Sequence, residues 1–140
     1  MLRSIFFLLF FACVMCGVSG QEMDTAKVHI KSIYFGGGSY FIDPEQSIEL
    51  REWLESFDRI EQYEIIIQSH TDNIGSQEFN QYLSQMRSQS VFEKLMENLI
   101  LEEAIEIKSF GENDPTYSNS ELIGRLKNRR TDVILKPVSL

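Results

Sequence analysis

Cysteine is almost missing from these 140 residues: there are two, Cys13 and Cys16, both near the N-terminus. Residues 21–140 therefore offer no disulfide and no thiolate. Histidine is limited to His29 and His70, too few to complete a metal-ligand set without cysteine, so no metal and no cofactor is expected. Basic residues are in deficit, 13 Lys and Arg against 21 Asp and Glu, for a net charge of −8. That balance excludes nucleic acid as a partner, because phosphate neutralisation needs a basic face. Only three prolines occur, and there is no low-complexity tract or repeat. Long apolar runs are also lacking, except for Ile5 to Met15 (IFFLLFFACVM). At 11 residues it falls short of the roughly 20 needed to span a bilayer.

That run follows Arg3 and precedes the small residues Ser19 and Gly20. A cation, a short apolar stretch and a small-residue site make a secretory signal peptide over residues 1–20, with cleavage after Gly20. A retained N-terminal anchor is the alternative that the run length disfavours. Lipid attachment at Cys16 is another route, against which stands Met15, larger than lipoprotein processing usually tolerates. Residues 21–140 form one domain's length, with a core at about 28–136 and no transmembrane span. They keep 12 basic and 21 acidic side chains, a net charge of −9.

Val28 to Phe35 (VHIKSIYF) reads as a strand, closed by Gly36-Gly37-Gly38. Asp43-Pro44-Glu45-Gln46 reads as a helix start, with Asp43 capping and Gln46 completing a capping box. Ile48, Trp53, Leu54 and Phe57 supply the buried side of the helix that follows. Glu64 to Ser69 is a second strand and Thr71 to Ser76 a turn. A long helix covers about Gln77 to Asn98, with Phe79, Leu83, Met86, Leu95 and Met96 available for a buried stripe. A third strand spans Ala104 to Phe110, a short helix Glu121 to Lys127, and a last strand Thr131 to Leu135. The order β-α-β-α-β-(α)-β predicts an α/β (α+β) sandwich: helices on a four-stranded sheet of mixed direction.

The polar side of the long helix is the distinctive part. Asn80, Ser84 and Arg87 share one face. From Asp72 the chain climbs at most ~13–16 Å before the helix begins. Ten helical steps from Gln77 to Arg87 return about 15 Å, so Arg87 comes back to the level of Asp72. An acid beside a guanidinium, flanked by an amide and a hydroxyl, can hold a zwitterion: the acid takes an ammonium, the guanidinium a carboxylate in a fork. A structural ion pair at the surface satisfies the same spacing.

The blocks His70-Thr71-Asp72-Asn73-Ile74-Gly75-Ser76, Asn80, Leu83-Ser84-Gln85-Met86-Arg87 and Val91 resemble the peptidoglycan-binding signature of OmpA-like C-terminal domains. The likeness continues at Gly111 and Pro115, closes with Asn128-Arg129-Arg130, and covers roughly residues 33–135. It implies a β-α-β-α-β-β fold and non-covalent binding to the peptidoglycan stem peptide through diaminopimelate, in the periplasm of a Gram-negative bacterium. Envelope proteins are further partners it implies. By the same resemblance Asp72 grips the ammonium and Arg87 the carboxylate. Asn80 and Arg129 are pocket residues, Thr71 lines the site, and His70, Gly75 and Ser84 support it. His70 equally suits a packed histidine.

Three single positions and one tripeptide depart from the family pattern. Ser69 stands for the usual glycine, Ser88 for the usual alanine, and Ile74 for a residue that is often polar. Gly36-Gly37-Gly38 replaces polar residues near the pocket and should offer only backbone N–H groups on a mobile loop. Two rival classes remain. A hydrolase built on Ser69, His70 and Asp72 fails because adjacent strand residues point to opposite faces. An envelope-complex subunit that keeps the fold without wall binding stays open.

Overall fold

The computed structural model describes residues 27–138; the predicted signal peptide, its cleavage site and Cys16 lie outside the described residues. The chain folds as β1 (His29–Tyr34), α1 (Pro44–Glu55), β2 (Tyr63–His70), α2 (Gln77–Glu97), β3 (Ile105–Gly111), α3 (Leu122–Asn128) and β4 (Arg130–Pro137). Short 3-10 turns precede β2 and β3. Each predicted element is present. The sheet order is β1-β4-β2-β3, with β4 antiparallel to both neighbours and β2 parallel to β3. The mixed sheet follows from the connections: α2 carries the chain between parallel β2 and β3, while β4 enters between β1 and β2. No helix among the described residues is long and apolar enough to cross a membrane.

The core lies between the helices and one sheet face. Ile65, Ile67, Val133 and Leu135 project from the central strands onto Leu50 and Leu54 of α1 and Val91 and Leu95 of α2. In α1 the buried residues are Leu50 and the expected Leu54; the predicted Ile48 is exposed, and Trp53 and Phe57 pack at the margin, edge to face with each other. Asp43 caps α1 by accepting from the Gln46 backbone N–H at 2.9 Å. The reciprocal half of the box takes another form: Gln46 Nε2 donates to Asp43 Oδ2 at 2.6 Å, and the same amide is shared with β1. The Gln46 side-chain amide donates to the Tyr34 carbonyl at 2.9 Å and accepts from the Tyr34 N–H at 2.7 Å. One side chain thus pairs the end of edge strand β1 as a neighbouring strand would.

The largest correction concerns α2. Phe79 and Met96, expected in its buried stripe, are exposed. The inward face of its first half is instead polar: Asn80, Ser84, Arg87 and Ser88 are buried beside Leu83. Small hydroxyl residues let that half of the helix lie close to the sheet. Ser88 donates to Ser69 Oγ at 2.7 Å and lies 2.9 Å from Ser109 Oγ, and Ser69 meets Thr131 Oγ1 at 2.7 Å. The two serines that depart from the family pattern therefore touch, and each supplies the other's hydrogen-bond partner. Further along, Ser84 Oγ donates to the Gln81 carbonyl and accepts from the Gly111 N–H. Gly111 has φ +59, and an added Cβ would sit 3.2 Å from the Gln81 backbone. Glycine is what permits both that conformation and that approach.

Candidate ligand-binding site

The site is built where β2 ends, α2 begins, and the β1–α1 loop and the start of β4 come alongside. Thr71 continues β2 by donating its N–H to the Gly111 carbonyl, and its hydroxyl bonds the Asp72 carbonyl. The chain then turns: Asp72 Oδ1 accepts from the Ile74 N–H at 3.2 Å, and Gly75 takes φ +110. Ser76 caps α2 through the Phe79 N–H. The Ile74 side chain is exposed.

Asp72 Oδ2 accepts from Arg129 Nε at 2.6 Å, an ion pair nearly closed to solvent. Arg129 is placed by its neighbours in chain. Asn128 is fully buried and clamps the loop before α3 through the Tyr117 N–H and carbonyl. Arg130 turns away to Asp132 Oδ2 at 2.9 Å and to Thr116. Its acidic partner is thus a residue of its own strand.

Arg87 returns close to the level the rise arithmetic predicts: its Nη1 donates to the carbonyl of His70, two residues before Asp72, at 2.8 Å. Its environment differs from the expectation. The side-by-side pairing anticipated for Arg87 and Asp72 is made by Arg129, and Arg87 is fully buried instead. Nε donates to the Ser39 carbonyl at 2.9 Å and Nη2 to the Gly36 carbonyl at 3.1 Å, with the Phe35 ring 4.9 Å from the guanidinium carbon. Burial pulls the Arg87 pKa down to about 10; Asp72 opposes that shift and Arg129 adds to it. Arg87 is therefore still charged at neutral pH. Two of its five N–H groups are left without one of these carbonyl partners.

The glycine loop works in the opposite sense from the one expected. It presents carbonyls, those of Gly36 and Ser39, where N–H groups were anticipated. Gly38, at φ +64, occupies the third position of a turn closed by the Ser39 N–H on the Gly36 carbonyl. Gly37 lies under the Arg129 guanidinium, where a Cβ would be 3.4 Å from Nη1. The loop thus covers both arginines.

Asn80 is buried, and its Nδ2 donates to Glu112 Oε2 at 2.5 Å. Ser84, expected to flank the charges, spends its hydroxyl on the α2–β3 joint. His70 projects to the other sheet face and stacks on Phe110 at 5.1 Å, where burial and Arg130 lower its pKa. Ser69 and His70 thus occupy opposite faces. Phe110 is free to take that position because the β2–β3 register shifts beside it, pairing Ser69 with Ser109 but His70 with Gly111. Sequence reasoning missed Phe35, the Gly36 and Ser39 carbonyls, and Glu112. Only the glycine run carried any signal for them. Two arginines, Arg87 and Arg129, thus stand with two carboxylates, Asp72 and Glu112, inside a chain that is strongly acidic.

Comparison with known proteins bears on this arrangement. Residues 34–129 match the model of the OmpA family. The outer-membrane lipoprotein YfiB of Pseudomonas aeruginosa is 27% identical over 103 residues, 74% of this chain and 61% of YfiB. Motility protein B of Bacillus subtilis is 42% identical over 78 residues, 52% of this chain and 30% of that protein. The chain thus spans less than two thirds of either relative. The crystal structure of the peptidoglycan-associated lipoprotein from Burkholderia pseudomallei superposes with a TM-score of 0.70 at 26% identity, covering 76% of this chain and 90% of that one.

Proposed function

The chain belongs to the OmpA family, and from that premise we propose that it binds peptidoglycan non-covalently through the diaminopimelate of the stem peptide. The observation that carries this is the cluster of Asp72, Arg87 and Arg129, one carboxylate and two guanidinium groups largely shielded from solvent at the end of β2. Diaminopimelate presents an ammonium and a carboxylate on one carbon. A carboxylate accepts about four hydrogen bonds, so Asp72 has capacity for an ammonium beyond its bonds to Arg129 and Ile74. The two remaining N–H groups of Arg87 suit a carboxylate fork. Thr71 and the turn through Gly75 shape the near wall, and Asn80 lies behind it. The role is anchoring or organising the envelope from the periplasm, without catalysis. The names of the relatives, an outer-membrane lipoprotein and a peptidoglycan-associated lipoprotein, support that setting.

Charge-assisted hydrogen bonds at roughly 1.5–3 kcal/mol each, less the entropy of association, give an affinity in the micromolar range. A polymer that repeats the ligand keeps a weak binder local by rebinding. The test is retention on purified sacculi. The wild-type protein should sediment with them, and Asp72→Ala and Arg87→Lys should remain in the supernatant while keeping native circular dichroism. Equal retention of all three proteins rejects the site.

A second reading has one observation behind it. The Gly36 and Ser39 carbonyls already hold Arg87, as they would in an envelope-complex subunit that keeps the fold and binds protein partners only. Absence of wild-type retention on sacculi favours that reading.

A further inference from the structure

We propose that Glu112 is a positioning residue: it fixes the side-chain amide of Asn80 so that the pocket offers Oδ1, and the ligand group received there is a hydrogen-bond donor, the ammonium of the zwitterion. The inference rests on the wall-binding reading and adds to it the device that sets which end of the ligand goes where.

Glu112 follows Gly111, whose left-handed backbone and close contact with Gln81 hold the end of β3 against the first turns of α2. That approach brings the Glu112 carboxylate to Asn80 Nδ2 at 2.5 Å. An ionised carboxylate can only accept. It holds the NH2 end of the amide and turns the oxygen the other way. Asn80 is 1% exposed, and its Oδ1 is buried with no hydrogen-bond partner among the described residues. Buried polar atoms are nearly always paired, so an orphaned acceptor in the pocket wall calls for a donor.

The donor's direction of approach is given by Gly75. A Cβ there would lie 3.6 Å from Oδ1, so glycine keeps a side chain from intruding beside that oxygen. The same turn carries Asp72, whose carboxylate is also an acceptor. Asp72 on that turn and Asn80 at the start of α2 are both acceptors, as a single ammonium requires, whereas the Arg87 guanidinium donates to the His70 and Ser39 carbonyls. Without Glu112 the amide is free to rotate by half a turn. It would then show Nδ2 to the ammonium, donor against donor.

The experiment is calorimetric titration of the protein with the tripeptide L-Ala-γ-D-Glu-meso-diaminopimelate, and with the same tripeptide acetylated on its side-chain amine. Four proteins are compared: wild type, Glu112→Gln, Asn80→Asp, and the double variant. Glu112→Gln allows either amide orientation and should weaken free-amine binding about tenfold, the loss of one well-placed hydrogen bond. Asn80→Asp sets two carboxylates face to face and should weaken it as much or more. The double variant rebuilds the pair in reverse. The glutamine NH2 donates to one carboxylate oxygen, and the other oxygen remains as the acceptor, so affinity should return to within about threefold of wild type. The acetylated tripeptide should bind all four weakly.

A merely structural Glu112 predicts a lowered melting temperature in the single variants and no recovery of ligand preference in the double one. Wild-type binding with Glu112→Gln unchanged, or a double variant no better than its parents, overturns the role of Glu112 and leaves wall binding standing. No binding by the wild-type protein overturns both.

Discussion

Replacing Arg87 with alanine is the perturbation that weighs most on the site. The side chain is fully buried and donates to three backbone carbonyls, of Ser39, His70 and Gly36, at 2.8–3.1 Å. Hydrogen bonds from a charged donor contribute about 1.5–3 kcal/mol each. Their sum overstates the loss, because removing the guanidinium also removes the cost of having buried it. What remains is three carbonyls without a donor and a void beside Phe35, for a net loss of about 3–5 kcal/mol. Set against a domain stability of about 5–15 kcal/mol, the variant should fold but melt early. Arg87→Lys keeps the charge but lacks the planar fork, and should lose about half as much. Urea unfolding followed by circular dichroism gives the stabilities, and hydrogen exchange at Gly36 to Ser39 reports whether the loop has come loose. If Arg87→Ala unfolds within about 1 kcal/mol of wild type, with unchanged exchange in the loop, the guanidinium is not what holds the loop over the site.

Ser69→Ala and Ser88→Ala should each cost about 1–2 kcal/mol, and the double variant should cost about 1 kcal/mol less than their sum because the two hydroxyls are partners; strict additivity in urea melts would refute the pairing. The lowered pKa of His70 means that the unfolded chain binds a proton at a higher pH than the folded one. Stability should therefore fall as pH drops below the ordinary histidine value of 6.5 towards the depressed folded value, and His70→Phe should flatten the upper part of that slope in a pH series of urea midpoints. Gly124→Ala should cost about 1–3 kcal/mol, since the new methyl group would overlap the Ser118 carbonyl; an unchanged midpoint would mean that the loop before α3 yields freely.

Much of the fold is legible locally. Val28 to Phe35 and Glu64 to Ser69 carry β-branched and apolar residues between turn formers, and they appear as β1 and β2 with ends shifted by a residue or two. The start of α1 is written in Asp43-Pro44. Apolar periodicity finds Leu83 and Leu95 on the inward face of α2 but not the polar residues beside them. Phe79 and Met96 fit a helical stripe as well as Leu83 does, yet polar Asn80, Ser84, Arg87 and Ser88 are the ones buried. A serine or an arginine can be buried when the opposing surface supplies partners, and here those are Ser69, Ser109 and the loop carbonyls, none of them adjacent in sequence.

That α2 carries Arg87 back to the end of β2 follows from residue spacing, because rise per residue fixes height along an element. The acidic balance, the order of elements and the family signature are likewise legible in the residues alone. Which arginine meets Asp72 is a matter of packing. That depends on sideways placement: β4 inserts next to β2 and delivers Arg129 to the carboxylate across 57 positions of chain. The β1–α1 loop, meanwhile, folds its carbonyls onto Arg87. Height is a property of one element and its turn; lateral pairing is settled by strand order and by competition among acceptors, which no local spacing encodes.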